Sequence, residues 1–134
     1  VHIFVFNNLG ELYLQKRSSL KDSSPGLWDS SASGHLEVGE DYRSAASREL
    51  TEELGIKVTV EEICDLEACQ ATGWEFVRLF RCEHGGPFLS PCSEVETGVF
   101  LAPDIIDQWV RRRPQDFASG FVECWNMYSL RGVS

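Results

Sequence analysis

Glu49, Glu52 and Glu53 stand at i, i+3 and i+4 within 41–54, a stretch of good helix formers free of Pro and Gly. At about 100° per residue they share an arc of roughly 100° on one side of a helix. Glu49 and Glu53 repel as like charges one turn apart. All three lie toward the helix C-terminus, where the macrodipole disfavours negative charge. A hard divalent cation compensates directly. Mg²⁺ takes carboxylate oxygens, keeps several waters and leaves positions for a phosphate group. The plain alternative is a solvated acidic face. Three neighbours weigh against it: Glu40 just before the helix, Arg48 one turn ahead of Glu52, and the glycines Gly34 and Gly39, which let a loop backbone come close.

The elements that must position these acids follow from periodicity. Val1–Phe6 is β-branched and aromatic, ends in Asn7-Asn8-Leu9-Gly10, and predicts a hairpin with Leu12–Arg17. Residues 18–27 read as a loop and 28–33 as a short extended piece. Tyr42, Ala46, Leu50 and Leu54 make one apolar stripe on the helix, which Gly55 stops. Strands are expected at 56–60, 63–70, 74–82 and 95–101. Pro103 opens a short helix burying Ile105, Ile106, Trp109 and Val110, and a last helix spans about 117–130. The pattern is α/β: a mixed central sheet between helices, in one domain covering 1–134.

The chain has 134 residues, enough for a core of its own, with 43 % hydrophobic and 25 % charged residues. No apolar run approaches the ~20 residues of a membrane helix. Twelve Lys and Arg against 21 Asp and Glu leave a net charge of −9, which argues against nucleic-acid polymers and anionic membranes as partners. Five cysteines without a Cys-x-x-Cys pair read as free thiols of a reducing, cytoplasmic setting. There is no signal-peptide pattern. The chain opens on a strand at Val1 without Met, so a longer native N-terminus is expected.

Gly34, five residues, Glu40, seven residues and then Arg48-Glu49-Leu50-Thr51-Glu52-Glu53-Leu54-Gly55-Ile56 together fill every specified position of the Nudix box. At ordinary residue abundances such a string arises at a given start with a chance on the order of 10⁻¹⁰. The chain therefore resembles the Nudix hydrolase family, and its strand order extends the resemblance beyond the box. The resemblance implies an α/β/α sandwich and hydrolysis of a nucleoside diphosphate, or a compound linked to one, by water attack on phosphorus. It also implies Mg²⁺, with Mn²⁺ able to substitute. By the family pattern Glu52, Glu53 and the Gly34 carbonyl hold metal, Glu49 is a ligand or the base, Glu40 is an accessory carboxylate, and Arg48 orients the glutamates. The expected partner is a small-molecule diphosphate; a homodimer would be unsurprising.

Leu14–Ser18, Pro25–Ser30 and Ser33-Gly34-His35 resemble the subgroup related to isopentenyl-diphosphate isomerase, which protonates an alkene using a Cys and a Glu. Residues 30–33 hold no Cys, and 74–77 offer only Glu75, so the chain departs from the isomerase pattern at both places. A non-catalytic nucleotide-binding sensor is a further alternative, disfavoured by the intact acidic set. Lys16 or Arg17 is a candidate phosphate contact, though alternation sends the two to opposite faces. Trp28 is a candidate for stacking on substrate, with Trp74 and Phe76 behind it. Glu94, or Glu96, is a candidate late-loop carboxylate, and His35 a weaker candidate ligand. Arg111-Arg112-Arg113 is explained by the end of a helix.

Overall fold

The computed structural model describes residues 1–18, 25–73, 75–89 and 95–130. Among the described residues seven strands form one mixed sheet: β1 (His2–Phe6), β2 (Leu12–Arg17), β3 (Trp28–Asp29), β4 (Ala32–Ser33), β5 (Glu61–Leu66), β6 (Val77–Glu83) and β7 (Val95–Leu101). Three helices flank it: α1 (Tyr42–Leu54), α2 (Pro103–Arg112) and α3 (Ser119–Leu130). The main strand order is β3-β2-β1-β6-β5, with β4 also on β1 and β7 also on β2. The expected hairpin forms through Phe6 opposite Leu12, and β1 runs parallel to β6.

Alternation along β1 supplies both cores. Phe4 and Phe6 point into a layer closed by Ile106 and Val110 of α2 and by Phe121, Trp125 and Tyr128 of α3. Val1, Ile3 and Val5 point the other way, against Ala45, Ala46, Leu50 and Leu54 of α1. The sheet is thus buried on both faces between helices, the α/β/α arrangement expected. The stripe on α1 is as read from sequence, with Tyr42 at its half-buried end.

Three boundaries and one burial differ from expectation. Residues 56–60 form no strand. The Ile56 N–H bonds back to the Leu50 carbonyl and the Thr51 hydroxyl reaches the Ile56 carbonyl, so the end of α1 takes the bonds a sheet partner would need. Ile56 and Val60 are still buried, which explains the apolar run. β5 lies earlier than expected because a one-turn 3₁₀ helix at Gln70–Thr72 takes the chain out of the sheet. β6 starts at Val77, with Trp74 outside the described residues. On α2, Ile105 is exposed while Ile106 and Val110 are buried. No helix among the described residues is long and apolar enough to cross a membrane.

Candidate active site

Helix α1 has both ends fixed. The Asp41 carboxylate accepts from the Ser44 N–H at 2.7 Å, and Gly55 closes the other end in the left-handed region at φ 70°, its N–H reaching the Leu50 and Thr51 carbonyls. With Ala46, Leu50 and Leu54 anchored in the core, the rotation of the helix is set. Glu53 is turned inward and is 8 % exposed, Glu49 is half-buried at the edge, and the Glu52 side chain is 56 % exposed.

Arg48 ties the acids together. Its Nε and Nη2 donate to the two oxygens of Glu40 at 2.8 and 2.9 Å, a bidentate pair. Its Nη1 donates to Glu49 at 2.8 Å and to Glu52 at 3.1 Å, and Nη2 also reaches the His35 carbonyl at 2.9 Å. The pair to Glu52 is the i, i+4 contact expected from spacing; the tie to Glu40 closes the loop 34–40 onto the helix. The guanidinium, with the Glu37 N–H, holds Glu40 down at about 2, and the carboxylates keep Arg48 firmly charged.

Glu53 has the opposite electrostatics. Burial is the largest cause, and its hydrogen bond to Glu49 adds to it; together they push its pKa up to about 9. Gln15 Nε2 donates to one Glu53 oxygen at 3.0 Å and the Ser33 N–H donates to the other at 3.1 Å. Gln15 was missed by sequence reasoning. Its signal is a polar residue directly after the apolar run Leu12–Leu14, at a position that is buried.

Gly34 completes the cluster. A Cβ built there would overlap the Glu49 carboxyl, so only glycine lets that side chain lie against the loop. The Gly34 carbonyl accepts from the Val1 nitrogen at 2.7 Å, leaving its second lone pair. Among the described residues no three His, Cys, Asp or Glu side chains are already converged for a metal, because Glu40, Glu49 and Glu52 face Arg48. The donor chemistry fits a hard divalent ion nonetheless: carboxylates and one backbone carbonyl, with buried Glu53 holding a proton that such an ion would displace. Gly34→Ala is expected to weaken Mn²⁺ binding by at least about 10-fold in calorimetry, because the methyl group must displace Glu49. Unchanged affinity would remove Glu49 from the ligand set.

A cavity of about 450 Å³ opens beside the cluster, walled by His2, Arg17, Gly34, His35, Glu75 and Phe76 among others. Arg17 is brought to this site; Lys16 is not among its walls. A register break between the two residues separates them at the end of β2. A larger, more open groove of about 630 Å³ runs along α1 past Arg43, Ser47, Arg48 and Lys57, and its walls carry no carboxylate. The smaller cavity shares the Gly34 wall with the acids and is the one placed for chemistry. Trp28 corrects the stacking expectation. Its ring packs edge-on against Trp109 at 5.7 Å and its carbonyl holds the Ala118 N–H, so it belongs to the core. His35 is an exposed partner of Glu75, Nδ1 to Oε2 3.2 Å. Glu94 lies outside the described residues, and of Glu96 only the backbone, in β7, is described.

Comparison with known proteins gives the same picture. The family model of the NUDIX domain matches residues 1–118. Isopentenyl-diphosphate Delta-isomerase 2 of Photorhabdus laumondii is 48 % identical over 61 residues, 46 % of this chain and 34 % of that protein, so the chain spans about a third of that relative's length. In fold it is similar to DR0079 from Deinococcus radiodurans, with a TM-score of 0.80, 22 % identity, and 96 % of this chain and 79 % of that one covered. The NUDIX domain of Shewanella oneidensis NrtR, solved with ADP ribose, superposes at TM-score 0.73 with 15 % identity over 98 % of this chain and 86 % of that one. With the complete box in place on α1 and the family model covering most of its length, the chain belongs to the Nudix family.

Proposed function

We propose that the chain is a Mg²⁺-dependent hydrolase that cleaves the diphosphate linkage of a nucleoside diphosphate, or of a compound linked to one. The observation that carries this reading is the Arg48-centred cluster: Glu40, Glu49 and Glu52 gathered on one guanidinium, with Glu53 buried behind them and Gly34 in front. A module that only bound a nucleotide has no need to bury a carboxyl and hold its pKa near 9.

Glu49, Glu52, Glu53 and the Gly34 carbonyl would hold the metal, with Glu40 an accessory. Bound there, Mg²⁺ supplies positive charge to the diphosphate oxygens and acidifies water. The chain's own residues do the rest. Arg48 keeps the acidic side chains from splaying. Glu49, whose carboxyl lies against Gly34 of the cavity wall, takes the proton of the attacking water as the water oxygen bonds to phosphorus and the bridging P–O bond breaks. Arg17, in the cavity wall, faces the phosphates; its pairing to Asp29 at 3.3 Å fixes its reach.

The isomerase relative makes a second reading worth weighing. Residues 30–33 provide no thiol, and two of the serines there are already engaged: the Ser31 hydroxyl donates to the Tyr13 carbonyl and accepts from the Val5 N–H, and Ser30 pairs with His2 at 2.6 Å. Hydrolysis is the reading these residues support. Phosphorus NMR of a nucleoside-diphosphate panel with Mg²⁺ in ¹⁸O-water tests it. The expected result is phosphate or nucleoside monophosphate carrying one ¹⁸O. Deuterium entering isopentenyl diphosphate without cleavage would favour the isomerase, and binding without product would favour a sensor.

A further inference from the structure

We infer that Phe76 is the specificity-determining residue of the cavity, its ring forming the surface against which the organic half of the substrate lies. The inference rests on the hydrolase reading only in taking this cavity as the substrate's.

Three observations converge on Phe76. It is 71 % exposed, although a phenyl ring is ordinarily covered, and it lines the same cavity as Gly34. It has no way into the core. Val77 next to it is buried and paired with Leu66 at the start of the β5–β6 ladder, so alternation turns Phe76 outward. It is also tethered: Glu75 pairs with His35 at 3.2 Å, linking the segment before β6 to the loop that carries Gly34. The ring therefore stands in the wall of a cavity that Gly34 also lines, and Gly34 lies against the Glu49 carboxyl of the acid cluster. A diphosphate gripped at Gly34 must send its organic group out past it.

The remaining wall describes what that group must be. His2, Arg17, Ser33 and Thr72 bring hydrogen-bonding groups into the cavity beside the apolar Phe76. His2 is fixed by Ser30 at Nδ1, and burial lowers its pKa, so the ring is neutral and able to pair with a polar ligand. An all-hydrocarbon chain would strip water from these groups without replacing its hydrogen bonds. A group with one flat face for the ring and polar edges for the wall fits both, as a nucleoside does.

Isothermal titration of the full chain with ADP, GDP, CDP and UDP, and with inorganic pyrophosphate, all with Mg²⁺, separates the roles. Phe76→Ala is expected to weaken the best-bound nucleoside diphosphate at least about 5-fold, as loss of one stacked aromatic does. Phe76→Trp should bind within about 2-fold of the parent or tighter. Pyrophosphate, having no organic half, should change less than about 2-fold in either variant. Equal Kd for parent and Phe76→Ala, equal weakening of pyrophosphate, or no nucleoside diphosphate bound by the parent would each overturn the inference. A parent that binds through Phe76 yet releases no product would refute hydrolysis and leave the role of Phe76 intact.

Discussion

Glu53→Gln is expected to lower turnover by at least about 10²-fold, measured as phosphate release under saturating Mg²⁺. The substitution keeps shape and can still accept from the Ser33 N–H, so the fold and the 13-residue helix α1 are retained. What it removes is a negative charge at the centre of a largely dry site, where electrostatic groups contribute most. Glu52→Gln is expected to show a similar loss with a different signature. Glu52 is exposed and its contact is Arg48, so stability should stay within about 0.5 kcal/mol of the parent. Either variant running at near-parental rate would take that carboxylate out of the mechanism. A matching loss in rate with stability moving only for Glu53 would separate the buried ligand from the exposed one.

The sequence showed these acids because a helix is local. Once 41–54 is read as α, the spacing of Glu49, Glu52 and Glu53 fixes their common side, and Gly55 fixes the end. What it did not show depends on contacts between distant segments. Gln15 meets Glu53 only because β2 passes beneath α1, and neither residue signals the other. Arg48 was legible as a partner of Glu52, yet its bidentate bond goes to Glu40, brought round by the loop at Gly39. Trp28 misled for the same reason: an aromatic near a presumed site is indistinguishable in sequence from one that meets Trp109 across the core. The apolar run at 56–60 looked like a strand because burial, not sheet pairing, is what hydrophobicity reports.

Chelated protein is expected to lose stability as pH rises, and Glu53→Gln to abolish most of that loss. The unfolded Glu53 titrates at 4.5 and the folded one at about 9. Between those values the folded protein carries the extra proton, so raising the pH draws the chain toward the unfolded form. The stability conferred by the neutral carboxyl is complete below about pH 4.5 and is lost on passing upward through about pH 9. One proton gives a slope of at most about 1.4 kcal/mol per pH unit. Urea unfolding in EDTA at pH 5.5, 7.0 and 8.5 measures it, with the Glu53→Gln variant as the reference that cannot titrate there. Adding Mg²⁺ should reverse the trend, since the ion takes the proton's place and binds more tightly as the proton leaves. Parallel pH profiles for parent and variant would show that Glu53 is already ionised in the folded chain. The buried acid would then need a different source of compensation.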